Sequence, residues 1–355
     1  MAQLLSAVSL GNGYSQMAFG AIQTAEGDYL LAGRSFGEAS ISAGIAARVS
    51  PSGMIFWENT YDAEYSTLFA SAAQLANGTF VAAGSYFYSD TSGDEDIWLV
   101  NIDAQGNKIK EITFGKKNHQ NDGLAIAATA DGGFVVAGLD LPKGSDWPNA
   151  WVLKFDPNLK LLWKKQFDGV TAFAVIQTGD GGYALSGARG IEGSLNSHVY
   201  ALRLDDAGET IWERTYEDFE VYVLLRSGIA ETGEGGFAIV AKSVVMKVDG
   251  QGNVIHAAQN GQLNLGSVAC LPDGTYAIGG SLIVNDFDHA YVAVLDRTER
   301  EILWDNTEIL YNSELTQVLV NSDGFVAGGG YGPAGADKSL MMLAIFNQAE
   351  DITPT

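Results

Sequence analysis

Asp131-Gly132-Gly133-Phe134-Val135-Val136-Ala137-Gly138 reads as a tight turn running into a short apolar strand that ends at glycine. Near-copies occupy residues 26–33, 77–84 and 180–187, and weaker ones lie at 234–241, 273–280 and 322–329. Seven copies spaced by roughly 50 residues predict a repeat architecture, either a solenoid or a propeller.

Outward from that stretch, each unit keeps one order. A strand of small apolar residues such as 123–129 precedes the turn, and a variable polar loop follows the Ala-Gly strand end. A third strand comes next, as at 150–156, then a turn at Pro157-Asn158 and a fourth strand at 161–167. Four short strands bounded by Gly, Asp, Asn and Pro, with no helical periodicity, predict an all-β chain. The third strand aligns at Arg48-Val49-Ser50, Asn101-Ile102-Asp103, Lys154-Phe155-Asp156, Arg203-Leu204-Asp205, Lys247-Val248-Asp249, Val294-Leu295-Asp296 and Ile345-Phe346-Asn347. Trp57, Trp163, Trp212 and Trp304 mark the fourth strand, where a large indole can fill the widening wedge between outer strands.

The first strands choose between the two architectures. One aligned position reads Gly20, Ser71, Ala125, Ala174, Gly228, Ser267 and Thr316, always small. Strands converging on an axis crowd and exclude bulk, whereas a linear stack has no such convergence. The seventh unit reaches only its third strand, and residues 3–10 form an orphan fourth strand at the N-terminus. The expected fold is one seven-bladed β-propeller of four-stranded blades, its ring closed by the N-terminal strand and so without open sheet edges. The expected blades are about 15–61, 66–114, 121–167, 170–216, 222–259, 263–307 and 312–346.

The repeat resembles a bacterial and archaeal propeller repeat family with the pattern Asp-Gly-Gly-aromatic, Ala-Gly, Asp-x-Trp, Lys-x-Asp, Gly and an outer-strand Trp. Asp96-Ile97-Trp98-Leu99-Val100-Asn101-Ile102-Asp103 carries the match most fully. The resemblance implies the propeller fold. It implies no single function, because such repeats occur in scaffolds, binding proteins and some enzymes, including lyases and bond-forming enzymes of secondary metabolism.

Composition narrows the partners. The 355 residues carry a formal net charge of −23, which argues against nucleic acid and anionic membrane, both of which need clustered Lys and Arg. The opening Met1-Ala2-Gln3-Leu4-Leu5 lacks the basic head and apolar run of a secretory signal, and no stretch approaches the ~20 apolar residues of a membrane helix. A single cysteine, Cys270, precludes an intrachain disulfide. These features predict a cytoplasmic monomer without cofactor or metal.

Function is expected on the face that carries the longest loops, those entering first strands and those joining second to third strands. The fifth unit breaks the pattern there, since Ala241-Lys242-Ser243 runs directly into Val244 and leaves no loop. Arg226 aligns with Ala18, Phe69, Gly123, Ala172 and Leu265 near the channel mouth, and Glu314 takes that position in the seventh unit. Arg226, Lys242 and Arg34 could hold an anionic ligand through charge-assisted bonds. Alternatively, Arg226 and Glu314 pair and plug the channel. Tyr65, Tyr86, Trp147 and His119 lie in the surrounding loops, and His198 and His289 share a column with Asp96 and Asn149 that reads as a loop tether. No His/Cys spacing resembles a zinc site, and the acidic run 90–96 lacks the alternating ligands of a calcium loop.

The leading expectation is a module binding a small molecule or peptide at the loop-rich mouth. An enzyme using Glu314, Tyr222 or Tyr311 as acid or base is the alternative. A protein–protein platform built on the acidic rim is a third.

Overall fold

The turn at Asp131 shows why its residues recur. Gly132 adopts φ +84°, a left-handed conformation costly for any residue with a Cβ, and Gly27, Gly78, Gly181, Gly235 and Gly274 share it at +80° to +89°. Gly133 is needed for a different reason. A Cβ there would run into the carbonyl oxygen of Phe155 and meet Lys154 Nζ at 2.7 Å. That lysine is 4 % exposed and reaches back to Asp131 Oδ2 at 2.9 Å. Arg203 bonds Asp180 in the same way at 2.5 Å, Lys247 bonds Glu234 at 3.2 Å, and Arg48 bonds Asp28 at 2.8 Å. The Lys-x-Asp pattern of the third strand thus clamps the turn between the first two. In the second unit both positions are neutral, with Asn77 in the turn and Asn101 in the strand.

The computed structural model describes residues 4–10, 15–37, 41–61, 64–88, 93–222, 226–298, 300–306, 314–321, 324–333 and 339–347; for 4–10, 222, 304, 306, 321, 324–333 and 339–347 it describes the backbone only. All regular structure in these residues is β. A representative meander comprises strands His119–Ala128, Phe134–Pro142, Asn149–Phe155 and Leu161–Phe167, each antiparallel to the next. Five four-stranded sheets and one eight-stranded sheet result. The larger sheet is two meanders joined by a single parallel bridge between Gln120 and Glu95. Strand Leu4–Leu10 pairs antiparallel with Ser339–Asn347.

The first strands touch one another in chain order, Gln16–Gln23, Thr67–Gln74, His119–Ala128, Val170–Gln177, Ser227–Glu231, Leu263–Cys270 and Glu314–Asn321, and the last of these touches the first. Crowding between them explains the small residues. A Cβ on Gly20 would sit 2.9 Å from the Cα of Ser71, and one on Gly228 would sit 2.8 Å from the Cα of Ser267. In the last strand the small column shifts by one residue, because Gln317 and not Thr316 stands opposite Gly328. Apolar clusters fill the space between neighbouring sheets, as where Phe134, Val136, Trp151 and Leu153 pack against Val81, Ala83, Ile97 and Leu99.

Trp57, Trp163 and Trp212 fill the wedge as their size predicts, and the Trp304 side chain lies outside the described residues. Trp57 Nε1 donates to the Ala104 carbonyl at 3.0 Å and Trp212 Nε1 donates to that of Gly250 at 2.9 Å, each reaching a turn of the next unit. Trp163 packs on Gly208 of the following unit, where a Cβ would meet the ring at 3.0 Å. Tyr61 and Tyr216 add hydroxyl bonds to the carbonyls of Gly106 and Gly252.

Candidate functional site

Five of the seven first strands carry a β-bulge, which decides what faces the channel. Register shifts fall between Ala18 and Gly20, Phe69 and Ser71, Gly123 and Ala125, Ala172 and Ala174, and Leu265 and Ser267. The extra residues include Phe19, Leu124 and Phe173, and these line a central cavity of about 230 Å³ bordered by residues from every first strand. In the fifth unit Ser227–Glu231 pairs without a shift, so no bulge residue enters the cavity there. Arg226 lines it instead.

This register moves Arg226 by one place from its sequence alignment. Ser227 stands opposite Ala241, as Ala18 stands opposite Gly33, so Arg226 matches Met17 and not Ala18. Glu314 moves with it, since it stands opposite Tyr331, which pairs with Met341 of the third strand as Arg34 pairs with Gly44. The two side chains still meet across the mouth. Arg226 Nη1 donates to Glu314 Oε1 at 3.0 Å, with the side chains 30 % and 12 % exposed. The guanidinium also lies 5.7 Å from the centre of the Phe19 ring. The pairing foreseen from sequence therefore spans the channel opening.

The other two basic candidates are engaged separately. Ala241 pairs with Val244 across the two-residue turn Lys242-Ser243, so the fifth unit lacks the face loop, as its sequence indicates. Lys242 takes φ +51°, and its backbone N–H and C=O bond Leu265 of the next unit at 2.9 and 2.7 Å. Arg34 stacks 4.6 Å from the centre of the Phe36 ring, and its Nε is buried without a hydrogen-bond partner among the described residues. Burial lowers its pKa, with the charge of Glu95 acting in the opposite sense.

The rim residues divide into contacts and exposed surface. His119 Nδ1 lies 2.5 Å from Asp140 Oδ1, and Lys116 Nζ and Asn121 Nδ2 also reach that fully buried carboxylate at 2.7 and 2.8 Å. Burial pushes Asp140 up, and its bonds from Lys116, Asn121 and His119 hold it below the usual carboxylate range. His119 therefore serves a buried polar tie. Trp147 packs so closely on Gly190 of the next unit that a Cβ there would overlap the ring. Tyr65 is 37 % exposed, and Tyr86 and Tyr88 lie 5.0 Å apart beside it on the same loop face. Burial raises the pKa of Tyr86, and the charge of Glu64 adds to it.

His198 and His289 occupy the same register as Asp96 and Asn149, facing Arg189, Leu282, Tyr86 and Asp140 respectively. Asn149 Oδ1 does tether a loop, accepting from the Gly169 N–H at 3.1 Å. His198 Nδ1 is buried without a hydrogen-bond partner among the described residues. Tyr222 ends the outer strand Thr210–Tyr222 opposite Asn196 and does not open the fifth first strand, which begins at Ser227. Tyr311 lies outside the described residues. No group of three or more His, Cys, Asp or Glu among the described residues is arranged to hold a metal ion.

Sequence reading passed over one pair. Glu95 of the second unit hydrogen-bonds Asp122 of the third, and Asp122 is 8 % exposed. Burial, followed by the Asp122 charge and hydrogen bond, pushes the Glu95 carboxyl up to about 8, against smaller opposing effects of Gln120 and Arg34. Asp122 stands opposite Leu139 at the register of Met17, and so of Arg226 and Glu314. Only the pairing registers, and no uniform shift of the sequence column, gather all three ionisable residues.

Neither a protein-family model nor a curated protein matches the chain. Solved structures do. Sqt1 from Chaetomium thermophilum, a β-propeller, superposes with a TM-score of 0.57 at 14% identity, covering 98% of this chain and 90% of that one. Sqt1 bound to the N-terminus of the ribosomal protein L10 gives a TM-score of 0.56 at 15% identity, covering 96% and 90%. A protein of unknown function from Bacteroides caccae gives 0.52 at 13% identity, covering 75% and 89%. The chain has a β-propeller fold. At these identities the likeness speaks for fold alone. Among the described residues no helix is long and apolar enough to cross a membrane.

Proposed function

We propose that the chain is a closed seven-bladed propeller whose loop-rich mouth binds a peptide segment and admits one of its side chains into the channel. Closure is supported by the ring of contacts among first strands and by the pairing of Leu4–Leu10 with Ser339–Asn347. The cavity carries the binding reading. At about 230 Å³ it is smaller than the ~300–1,000 Å³ typical of small-molecule sites, yet ample for one side chain. Phe19, Leu124 and Phe173 offer that side chain an apolar wall, and Arg226 and Glu314 stand at its entrance.

On this reading Arg226 and Glu314 exchange their mutual bond for bonds to the peptide backbone. Arg34, Lys242, Tyr65, Tyr86, Trp147, His119, His198 and His289 shape the rim around it. A peptide partner also agrees with the Sqt1 structure, in which that propeller is bound to a ribosomal-protein N-terminus. The enzyme alternative would have to draw Glu314 away from Arg226 before it could move a proton.

The test is selection of peptides from a random display library, followed by titration of a labelled selected peptide. Arg226→Ala is expected to weaken binding about tenfold or more, the loss of a charge-assisted anchor. Lys108→Ala, on the opposite face, should leave it unchanged. Failure to select any peptide, or equal affinity for the Arg226→Ala variant, removes this reading.

A further inference from the structure

Glu95 and Asp122 meet where two sheets become one. Glu95 opens strand Glu95–Ile102, and the parallel bridge from its backbone to Gln120 is the join between the second and third meanders. Asp122 is held on its other sides, accepting from Ser85 Oγ at 2.6 Å and from Gln120 Nε2 at 3.0 Å. Two carboxylates in hydrogen-bond contact repel, and one proton between them converts repulsion into a short charge-assisted bond. We propose that Glu95 and Asp122 share one proton and form a pH-sensitive catch that fastens the second meander to the third at the loop-rich face.

The surroundings favour retention of that proton near neutrality. The Glu95 carboxyl is pushed up to about 8. Arg34 faces it from the first unit, and Asp122 and Gln120 face it from the third. On its own segment, Asp94 accepts from the Asn118 N–H at 3.0 Å and Asp96 accepts from the Tyr88 hydroxyl at 2.8 Å. Lys116, His119 and Asp140 lie beside the pair in the third unit and bond one another. The positive charge of Arg34 opposes protonation of Glu95.

The raised value sets the direction of the pH effect. Between the unfolded value near 4.5 and the folded value near 8, the folded chain holds the extra proton. The catch is therefore complete at acidic pH and is lost as pH rises through about 8. Within that window each pH unit changes the folding equilibrium by up to about tenfold. Glu95→Gln replaces the shared proton by a permanent amide donor, so it should hold the catch closed at every pH.

The test is denaturant unfolding of the whole chain from pH 5 to pH 9.5, beside a carboxyl-carbon NMR titration of Glu95. The expected result is a fall in the wild-type midpoint towards pH 8–9, a flatter profile in Glu95→Gln, and a Glu95 resonance titrating near 8. A Glu95 resonance titrating near 4.5, or an unchanged pH slope in Glu95→Gln, overturns the proposal. Should Glu95→Gln fail to fold, Asp122→Asn with the same NMR titration keeps it decidable. A drop of the Glu95 midpoint by two or more pH units supports the shared proton, and an unmoved midpoint refutes it.

Discussion

Adjacent glycines in the Asp131 turn answer to different physics, and substitution separates them. Gly132 needs its left-handed backbone, so Gly132→Ala should destabilise by about 1–2 kcal/mol. Gly133 needs empty space against the third strand, and its Cβ could be accommodated only by moving Phe155 and Lys154. Gly133→Ala should therefore lose more, about 2–4 kcal/mol, as overpacking combined with disruption of the Lys154–Asp131 bond. Denaturant midpoints of the two variants check the order. The need for glycine was legible in the motif, but the reason for the second one was not. It lies some twenty residues downstream, in the third strand.

Elements meet through the outer-strand tryptophans, and these were legible because an indole repeated at one strand position has few other uses in an all-β chain. Trp212 is 6 % exposed, packs against Phe237 and donates to the Gly250 carbonyl. Trp212→Phe removes the donor and part of the ring and should lose about 1–2 kcal/mol. Trp212→Ala empties the wedge and should lose about 3–5 kcal/mol. Thermal unfolding of both variants separates the hydrogen bond from the packing. The fifth unit shows where reading by element stops. Its absent loop was visible in the run from Ala241 to Val244, but its absent bulge was not, because a bulge inserts one residue without a required side chain. That single residue moved Arg226 to a new column and hid its relation to Asp122.

At the scale of the molecule, the proposed closure joins the two ends of the chain through Leu4–Leu10 and Ser339–Asn347. Deleting residues 1–10 would strip the outer strand from the last sheet and expose its edge. The expected loss is about 4 kcal/mol or more, a fall in Tm on the order of 10 °C, with reduced unfolding cooperativity. A truncated chain that melts with the full-length protein would argue against closure. The mouth also draws on more than one unit, since Arg226 and Glu314 belong to units two apart and Glu95 and Asp122 to neighbours. Peptide affinity should therefore respond to Arg226→Ala, whereas the Glu95 catch reports on alkaline pH, and the two can fail independently.

Sequence by itself determined the all-β class, the four-strand unit, the turn chemistry and the small inner column, because each depends on spacing within one repeat. It also placed Arg226 and Glu314 in one shared column at the mouth. Only the tertiary structure decided which partners these side chains meet. Convergence of the first strands brings distant units within bonding distance, and bulges rotate which residue faces the channel. The pairing of Glu95 with Asp122 and the size of the cavity beneath Arg226 follow from that convergence, which leaves no period in the chain to be read.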